Sequence, residues 1–272
     1  MQSIKITLSS TQESRLLESN ISIQILSTEK FPMIEPGDDL ASIIYNNIID
    51  NNIKVDDGDV IAVAQKVISK AENRYRSLDE IDPSEDAKEL ANQIDKDPQF
   101  VQAVLDESAK VLRYRHNVLI VEHKLGFVHA NAGIDRSNIN QTTNKVLLLP
   151  KDPDASATQI GNFLSGKLKK NISVIVTDTM GRPFRNGIVG FAIGSFNLEV
   201  IRDERGKVDL FDNQLKVTQI GVGDELAAAA SLVMGQASEG KPLVVIKNFK
   251  GRKSSKENAQ VLIRDEEYDL FR

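Results

Sequence analysis

Two stretches of this 272-residue chain set a carboxylate among glycines and short polar residues just after an apolar run. In that setting a rigid sheet can offer oxygen ligands to a divalent cation. The first is Asn131-Ala132-Gly133-Ile134-Asp135-Arg136-Ser137-Asn138; the second is Thr177-Asp178-Thr179-Met180-Gly181-Arg182-Pro183-Phe184-Arg185-Asn186-Gly187. Asp135 and Asp178 are therefore candidate ligands for Mg²⁺ or Mn²⁺, which bind hard oxygens and share them with substrate phosphates. The alternative is that each Asp only caps a turn. Arg182 and Arg185, flanking a proline, add positive charge suited to an anionic substrate, or else form a solvated basic loop. A third stretch, Met234-Gly235-Gln236-Ala237-Ser238-Glu239-Gly240-Lys241, follows an Ala-rich segment and exposes backbone amides at two glycines. Such a loop can wrap phosphates, and can equally be a helix stop followed by a turn.

The elements that must position these residues are readable from apolar spacing. After the Asp57-Gly58 turn, the unbroken run Val60-Ile61-Ala62-Val63-Ala64 predicts a buried strand. It delivers Gln65, Lys66 and Lys70 to its C-terminal side, an edge where phosphate ligands often sit. Ile172 to Val176 predicts a strand ending at Thr177-Asp178-Thr179, Leu243 to Ile246 a last core strand, and Ile21 to Leu26 a first one. Pro36-Gly37-Asp38-Asp39 caps a helix that carries Leu40, Ile43, Ile44, Ile48 and Ile49 on one face. Asp82, followed by Pro83 and Glu85, predicts a second helix ending near Ile94. Asp97-Pro98 opens a third, with Phe100, Val101, Val104, Leu105 and Val111 along one side. Asp154 and Asp224 are read as caps of helices reaching Leu168 and Met234. Val118 to Val121 and Phe127 to Ala130 flank a hairpin turn at His123-Lys124-Leu125-Gly126, and Val146 to Leu149 makes a further apolar run before Pro150. Hairpins mixed with helices favour an α+β fold over a regular βαβ series. The expected organisation is one domain over residues 21–272, preceded by an N-terminal extension, residues 1–20.

Composition narrows the chemistry. With 34 Lys plus Arg against 39 Asp plus Glu, the net charge of −5 argues against a general nucleic-acid binder. The absence of Cys excludes disulfides, thiolate nucleophiles and Cys-ligated metals. The longest weakly polar stretch, Leu226 to Gly235, is too short for a membrane span. Met1 to Thr7 lacks a secretory signal, so a cytoplasmic protein is expected. Gly161-Asn162-Phe163-Leu164-Ser165-Gly166-Lys167-Leu168 falls one residue short of a phosphate-binding P-loop and closes a helix where a P-loop would open one. Gly221-Val222-Gly223-Asp224 begins like a dinucleotide fingerprint but lacks the third Gly, and reads as a turn with a cap. His116, His123 and His129 have no metal-like spacing and are read as partly exposed and uncommitted. The serines lack a nucleophile elbow, against a Ser-His-Asp hydrolase.

Several motifs, taken in order, carry a resemblance. Gly133-Ile134-Asp135-x-Ser137-Asn138, then Asp178-Thr179-x-Gly181-Arg182-Pro183-x-Arg185-x-Gly187 with Ala192-Ile193-Gly194, then Asp224-Glu225-Leu226-Ala227 leading to Met234-Gly235, resemble the coenzyme F-420-0:L-glutamate ligase family. The match runs from near Phe31 to the acidic tail near Asp269. The resemblance implies an F-420 gamma-glutamyl ligase-like fold. It also implies GTP- and divalent-metal-dependent joining of L-glutamate to the carboxylate of a phosphate-bearing deazaflavin precursor through an acyl phosphate, with further glutamates added through γ-linkages. Asp135 and Asp178 would then hold one of two Mg²⁺ or Mn²⁺ ions, with Thr179 and Gln236 near the second and a monovalent cation as a further candidate. GTP would contact Phe31, Pro32, Met33, Ile34, Gln65, Lys66, Lys70, Asn138 and the Met234 to Lys241 loop. Catalysis would rest on Asp135, Asp178 and Lys70; Arg182 and Arg185 are expected, from their charge alone, to bind the phosphodiester of the precursor or the carboxylates of glutamate. A homodimer is implied as well. Where relatives continue Ala-Ile-Gly-x-x-Gly, this chain has Asn197, which tolerates a positive φ, so the turn is expected to survive. The rival readings are a two-metal phosphohydrolase and a non-catalytic GTP-binding protein.

Overall fold

The computed structural model describes residues 22–139, 144–251, 253–254 and 257–271; the expected N-terminal extension lies outside the described residues. In chain order the first elements are β1 (Gln24–Ser27), α1 (Leu40–Asp50), β2 (Val60–Ala64), α2 (Gln65–Ala71), β3 (Tyr75–Ser77), α3 (Glu85–Ile94) and α4 (Pro98–Glu107). They continue with β4 (Ser108–Arg115), β5 (Val118–His123), β6 (Val128–Ala130), β7 (Lys145–Leu147) and α5 (Pro153–Leu168). The last are β8 (Ser173–Arg182), β9 (Arg185–Phe196), β10 (Arg202–Asp203), β11 (Gln219–Ile220), α6 (Val222–Met234) and β12 (Leu243–Lys247). The fold is α+β, as the mixture of hairpins and helices implied.

A five-stranded sheet in the order β1-β12-β2-β8-β9 forms the centre. Among the described residues only β2 and β8 pair in parallel, Ala64 standing opposite Thr177. β2 and the Val174–Val176 stretch of β8 are unbroken apolar runs because both faces of the sheet are covered there. On one face α1 and α5 bury Ile44, Ile48, Ile160 and Leu164 against Ile61, Val63, Val174 and Val176. On the other, the Ala-rich α6 lies close, its Ala227 and Ala230 packing with Ala62, Ile175 and Ala192. A separate core joins α3 and α4 to the β4-β5-β6 sheet through Ile94, Val101, Val104, Leu119 and Val121.

Asp39 and Asp97 cap α1 and α4 as the spacing predicted, their carboxylates accepting the N–H of Ser42 and Phe100. Three other expected caps are corrected. Ser84, not Asp82, caps α3, because its N–H and hydroxyl are held by Gln102 at 2.9 and 2.7 Å while its oxygen accepts from Ala87. Asp152, not Asp154, caps α5; Asp154 instead takes the N–H groups of Ser195 and Ala259. The cap position of α6 is Gly221, and Asp224 accepts the Ala192 N–H of edge strand β9 at 2.9 Å. Val111, assigned to the face of α4, lies in β4 beyond the helix end.

The largest difference is at β8, which does not stop at Thr179 but runs to Arg182 and returns as β9. Its outer half carries one apolar residue, Met180, among polar residues and glycine, so it reads in the sequence as a polar loop. Residues Gly161 to Leu168 lie inside α5, where Gly161 admits the ring of Phe196: a Cβ there would overlap Phe196 Cδ1. Asn197 has φ +54°, so the turn survives its departure from glycine.

Candidate active site

The parallel pairing of β2 with β8 brings the start of α2 alongside Asp178. Gln65 and Lys66, the first residues of α2, meet Asp135 there: Gln65 Nε2 donates to Oδ2 at 2.9 Å and Lys66 Nζ lies 3.3 Å from Oδ1. Ser69 donates to Gln65 Oε1 at 2.9 Å, which fixes the amide so that its nitrogen faces the carboxylate. Asp135 is held by a backbone bridge to Leu147 and reached through a tight turn in which Asn131, Ala132 and Gly133 have φ of +51°, +53° and +67°. Two non-glycine residues in the left-handed region mark a turn over-determined by its surroundings. A Cβ at Gly133 would lie 2.8 Å from Leu149, so that glycine is required by space as well as by φ.

Asp178 sits mid-strand on β8, its side chain 15 % exposed. Its Oδ1 accepts the N–H of Thr179 at 2.8 Å, while the enclosed Oδ2 has no hydrogen-bond donor. Burial pushes its carboxyl up to about 6; His129 opposes the rise and the like charge of Asp135 adds to it. The two aspartates, far apart in sequence, thus face each other across one site. Lys70, one turn along α2 from Lys66, is buried, and no carboxylate among the described residues pairs with it. Burial and the Lys66 charge lower its pKa, against the pull of Glu35 and Asp135.

The Met234 to Lys241 loop closes over these groups. Thr177 Oγ donates to Met234 Sδ at 3.7 Å, Thr179 Oγ1 to Gln236 Oε1 at 3.1 Å, and Asn138 Nδ2 to the Ala237 carbonyl at 3.0 Å. The loop is therefore tied to both aspartate segments. Gly235 has φ +73° and a Cβ on it would overlap the Glu239 carboxyl carbon. That carboxylate accepts the Ala237 N–H at 2.7 Å, and N–H groups of Glu239 itself, Ala237 and Gln236 hold its pKa down. The loop amides thus converge on an anion. Lys241 pairs with Glu29 at 2.7 Å, which brings the Phe31-Pro32-Met33-Ile34 segment to the same edge; Ile34 is buried and Met33 exposed.

Two expectations about histidines and arginines need restating. His129 is not uncommitted: it lies on β6 with Nε2 3.5 Å from Asp178 Oδ2, and its ring packs 5.8 Å from that of Phe191. His123 is buried and stacked on Phe127, while His116 is exposed. Arg182 lies four residues beyond Asp178, roughly 13 Å along an extended strand, and with Arg185 closes the hairpin at its exposed end. The structure gathers Asp135, Asp178, Gln65, Lys66, Thr179, Gln236 and Asn138; it sets both arginines apart from them.

The profile of the family described as F420-0:Gamma-glutamyl ligase matches residues 29–248. The chain belongs to this family. A protein of Methanothermobacter thermautotrophicus named Coenzyme F420:L-glutamate ligase is 42 % identical over 251 residues, covering 92 % of this chain and 99 % of its own length. Proteins of the same name from Methanopyrus kandleri and Archaeoglobus fulgidus are each 43 % identical, over 88 % and 92 % of this chain and 93 % and 96 % of theirs.

For a member of the F420-0:Gamma-glutamyl ligase family, the fit of the site to divalent metal can be judged from its donors. No group of three or more His, Asp or Glu side chains clusters like a metal cage among the described residues. What is present is an enclosed, unpartnered Asp178 Oδ2, the Asp135 carboxylate, and the Thr179 and Gln236 oxygens 3.1 Å apart. An all-oxygen, incomplete set of this kind suits a cation that keeps waters and takes further ligands from substrate phosphates. The residues fit Mg²⁺ or Mn²⁺. Among the described residues no helix is long and apolar enough to cross a membrane.

Proposed function

We propose that this chain uses GTP to join the amine of L-glutamate to the carboxylate of coenzyme F420-0, and then adds further glutamates through γ-linkages. The observation that carries the reading is the meeting of Asp135 and Asp178, with one buried carboxylate oxygen left without a donor, beneath a loop whose amides already hold an anion. As a family member the protein is a C–N bond-forming ligase.

Amide formation from a carboxylate is uphill in water, so the carboxylate must first become a better acyl donor. Attack of its oxygen on the γ-phosphorus of GTP forms a C–O–P bond, breaks the bond to the β-phosphate and releases GDP. The glutamate nitrogen then bonds to the acyl carbon, the acyl C–O bond breaks, and inorganic phosphate departs with that oxygen and takes up the proton the nitrogen loses. Divalent cations held by Asp135, Asp178, Thr179 and Gln236 would supply charge neutralisation to the phosphoryl oxygens. The chain supplies the rest by position. Lys66 and Lys70 set positive charge beside the phosphates from a rigid helix, and the 235–240 amides hold phosphoryl oxygens in place of the Glu239 carboxylate. Gln65 and Lys66 orient Asp135. No protein nucleophile is required, and the acceleration comes from orientation and fixed charge.

We place the protein in the cytoplasm as a homodimer. Two projecting hairpins, at Phe184 and at Leu210 to Val217, expose Phe184, Leu210, Phe211 and Val217 by 84 % or more. Such residues suit a two-fold contact.

The test is mass spectrometry of products after mixing the protein with F420-0, L-glutamate, GTP and Mn²⁺. The expected result is acceptor gaining glutamate residues, with GDP formed only when all components are present. GDP release from GTP alone would replace the ligase with a phosphohydrolase, and GTP binding without turnover would leave a binding protein.

A further inference from the structure

A cavity of about 220 Å³ lies against the back of the candidate active site, under the segment that ends the described chain. Phe191, on its wall, is the cross-strand partner of Asp178, and Met180, also on its wall, follows Asp178 by two residues on the same face. Phe127 packs edge-on against Phe191 with ring centroids 5.5 Å apart, so two aromatic rings and a thioether floor the space. Ile263 covers it, and the exposed Arg264 stands at its rim.

We propose that this cavity takes the fused aromatic ring of the acceptor; the assignment rests on the ligase reading above. The charge of the lining selects among the reactants. Among the described residues the cavity is lined by one cation, Arg264, and by the carboxylates of Asp224 and Asp269. L-Glutamate carries two carboxylates and GTP a chain of phosphates, and both are disfavoured where acids outnumber bases. A planar ring bearing an imide N–H between two C=O groups matches instead: rings and sulfur contact its faces, a carboxylate accepts its N–H, and the flat guanidinium stacks on it or donates to a carbonyl. The size agrees, since pockets for whole ligands run to roughly 300–1,000 Å³ and this one holds a single end of a longer molecule. The cavity starts one strand, about 4.8 Å, from Asp178 and runs outward to Arg264. A ligand with its ring laid in it keeps its flexible tail, and the terminal carboxylate, at the aspartates.

The experiment uses 5-deazariboflavin, which carries the ring and ribityl chain and no carboxylate, titrated by fluorescence anisotropy into full-length protein without GTP or metal. The same proteins are assayed for steady-state ligation. Arg264→Ala, an exposed change, is expected to weaken binding of the probe and raise KM for F420-0 roughly tenfold, leaving KM for GTP unmoved. Ile263→Trp, which fills the cavity, is expected to abolish probe binding; if it does not fold by circular dichroism, Arg264→Ala decides alone. Wild-type affinity and KM in the folded variants overturn the assignment while ligation itself stands. Absence of any ligation by the wild type overturns the ligase reading, and the probe titration still judges the cavity.

Discussion

His129 Nε2 lies 3.5 Å from Oδ2 of Asp178 and 3.2 Å from the carbonyl oxygen of Thr179. The ring sits between two strands distant in sequence, β6 and β8, and is clamped by Phe127 and Phe191. It supports the buried carboxylate electrostatically without forming a hydrogen bond to it, so the lone pairs of Oδ2 stay available. An oxygen kept this way is costly to the empty protein and useful to a cation.

Asp178→Asn separates those two consequences. The folded carboxyl titrates near 6, above its unfolded value, so the folded state holds a proton that the unfolded state has lost. Stability therefore falls as pH rises from the unfolded value through 6, and at pH 7.5 the charge is a burden. Replacing it by the neutral amide is expected to raise the melting temperature of metal-free protein at pH 7.5 by about 2–6 °C, from a gain of about 1–2 kcal/mol, and to leave it unchanged near pH 4. GTP-dependent ligation is expected to disappear. A variant that melts lower, or that ligates at the wild-type rate, removes Asp178 from this role.

The parts of the site that were legible in the sequence are those fixed by local apolar runs. The unbroken run Val60 to Ala64 after the Asp57-Gly58 turn suits a buried strand, so the positions of Gln65 and Lys66 at its end followed. His129 was not legible, because its place depends on a short hairpin docking against β8, and no spacing around it records that contact. Asp154 and Asp224 were misread for a related reason. An Asp near a helix start is a strong local signal, while their actual donors, Ser195, Ala259 and Ala192, are remote in the chain. Past Thr179, β8 has a single apolar residue, the half-buried Met180, before Gly181 and Arg182, too little apolar pattern to announce a strand.

Gln236 offers a test of the second metal position. Its Oε1 accepts from Thr179 Oγ1 at 3.1 Å, a geometry that a carboxylate oxygen can also take. Because added ligand charge tightens divalent sites, Gln236→Glu is expected to bind the second Mn²⁺ roughly tenfold more tightly and Gln236→Ala to weaken it by about as much. Electron paramagnetic resonance titration of Mn²⁺ with GTP present counts the ions. Identical titrations for all three proteins place the second ion elsewhere.

Glu239 competes for the loop that the phosphates are proposed to use. Its carboxylate accepts the Ala237 N–H at 2.7 Å and fills the space beside Gly235, so a phosphoryl group must displace it. Glu239→Gln keeps the shape and removes the charge. GTP affinity by calorimetry is expected to rise about three- to tenfold. A loss of affinity would show the carboxylate to be a contact to the nucleotide and not its rival.

His123 gives the pH dependence of the scaffold itself. It is 4 % exposed, stacked on Phe127, and its Nδ1 accepts the Leu125 N–H at 2.9 Å, so the neutral ring carries its proton on Nε2. The nearest carboxylate oxygen, Glu107 Oε2, is 3.9 Å away and is bonded to Arg74 at 2.9 Å. Burial, with the positive charges of His129, Arg74 and Lys124, lowers the ring to about 4, below its unfolded value. Between those values the unfolded chain takes up a proton that the folded one refuses. The stability present above pH 6.5 is thus lost as pH falls towards 4, by about 2–3 kcal/mol. Asp178 contributes a slope of opposite sign over part of this range, but equally in wild type and in His123→Phe. Urea unfolding of both metal-free proteins at pH 7, 6 and 5 is expected to show the variant gaining on the wild type as pH falls. A constant difference across the three would mean that the folded protein accommodates the charged ring, against the enclosed, acceptor-poor setting of Nε2.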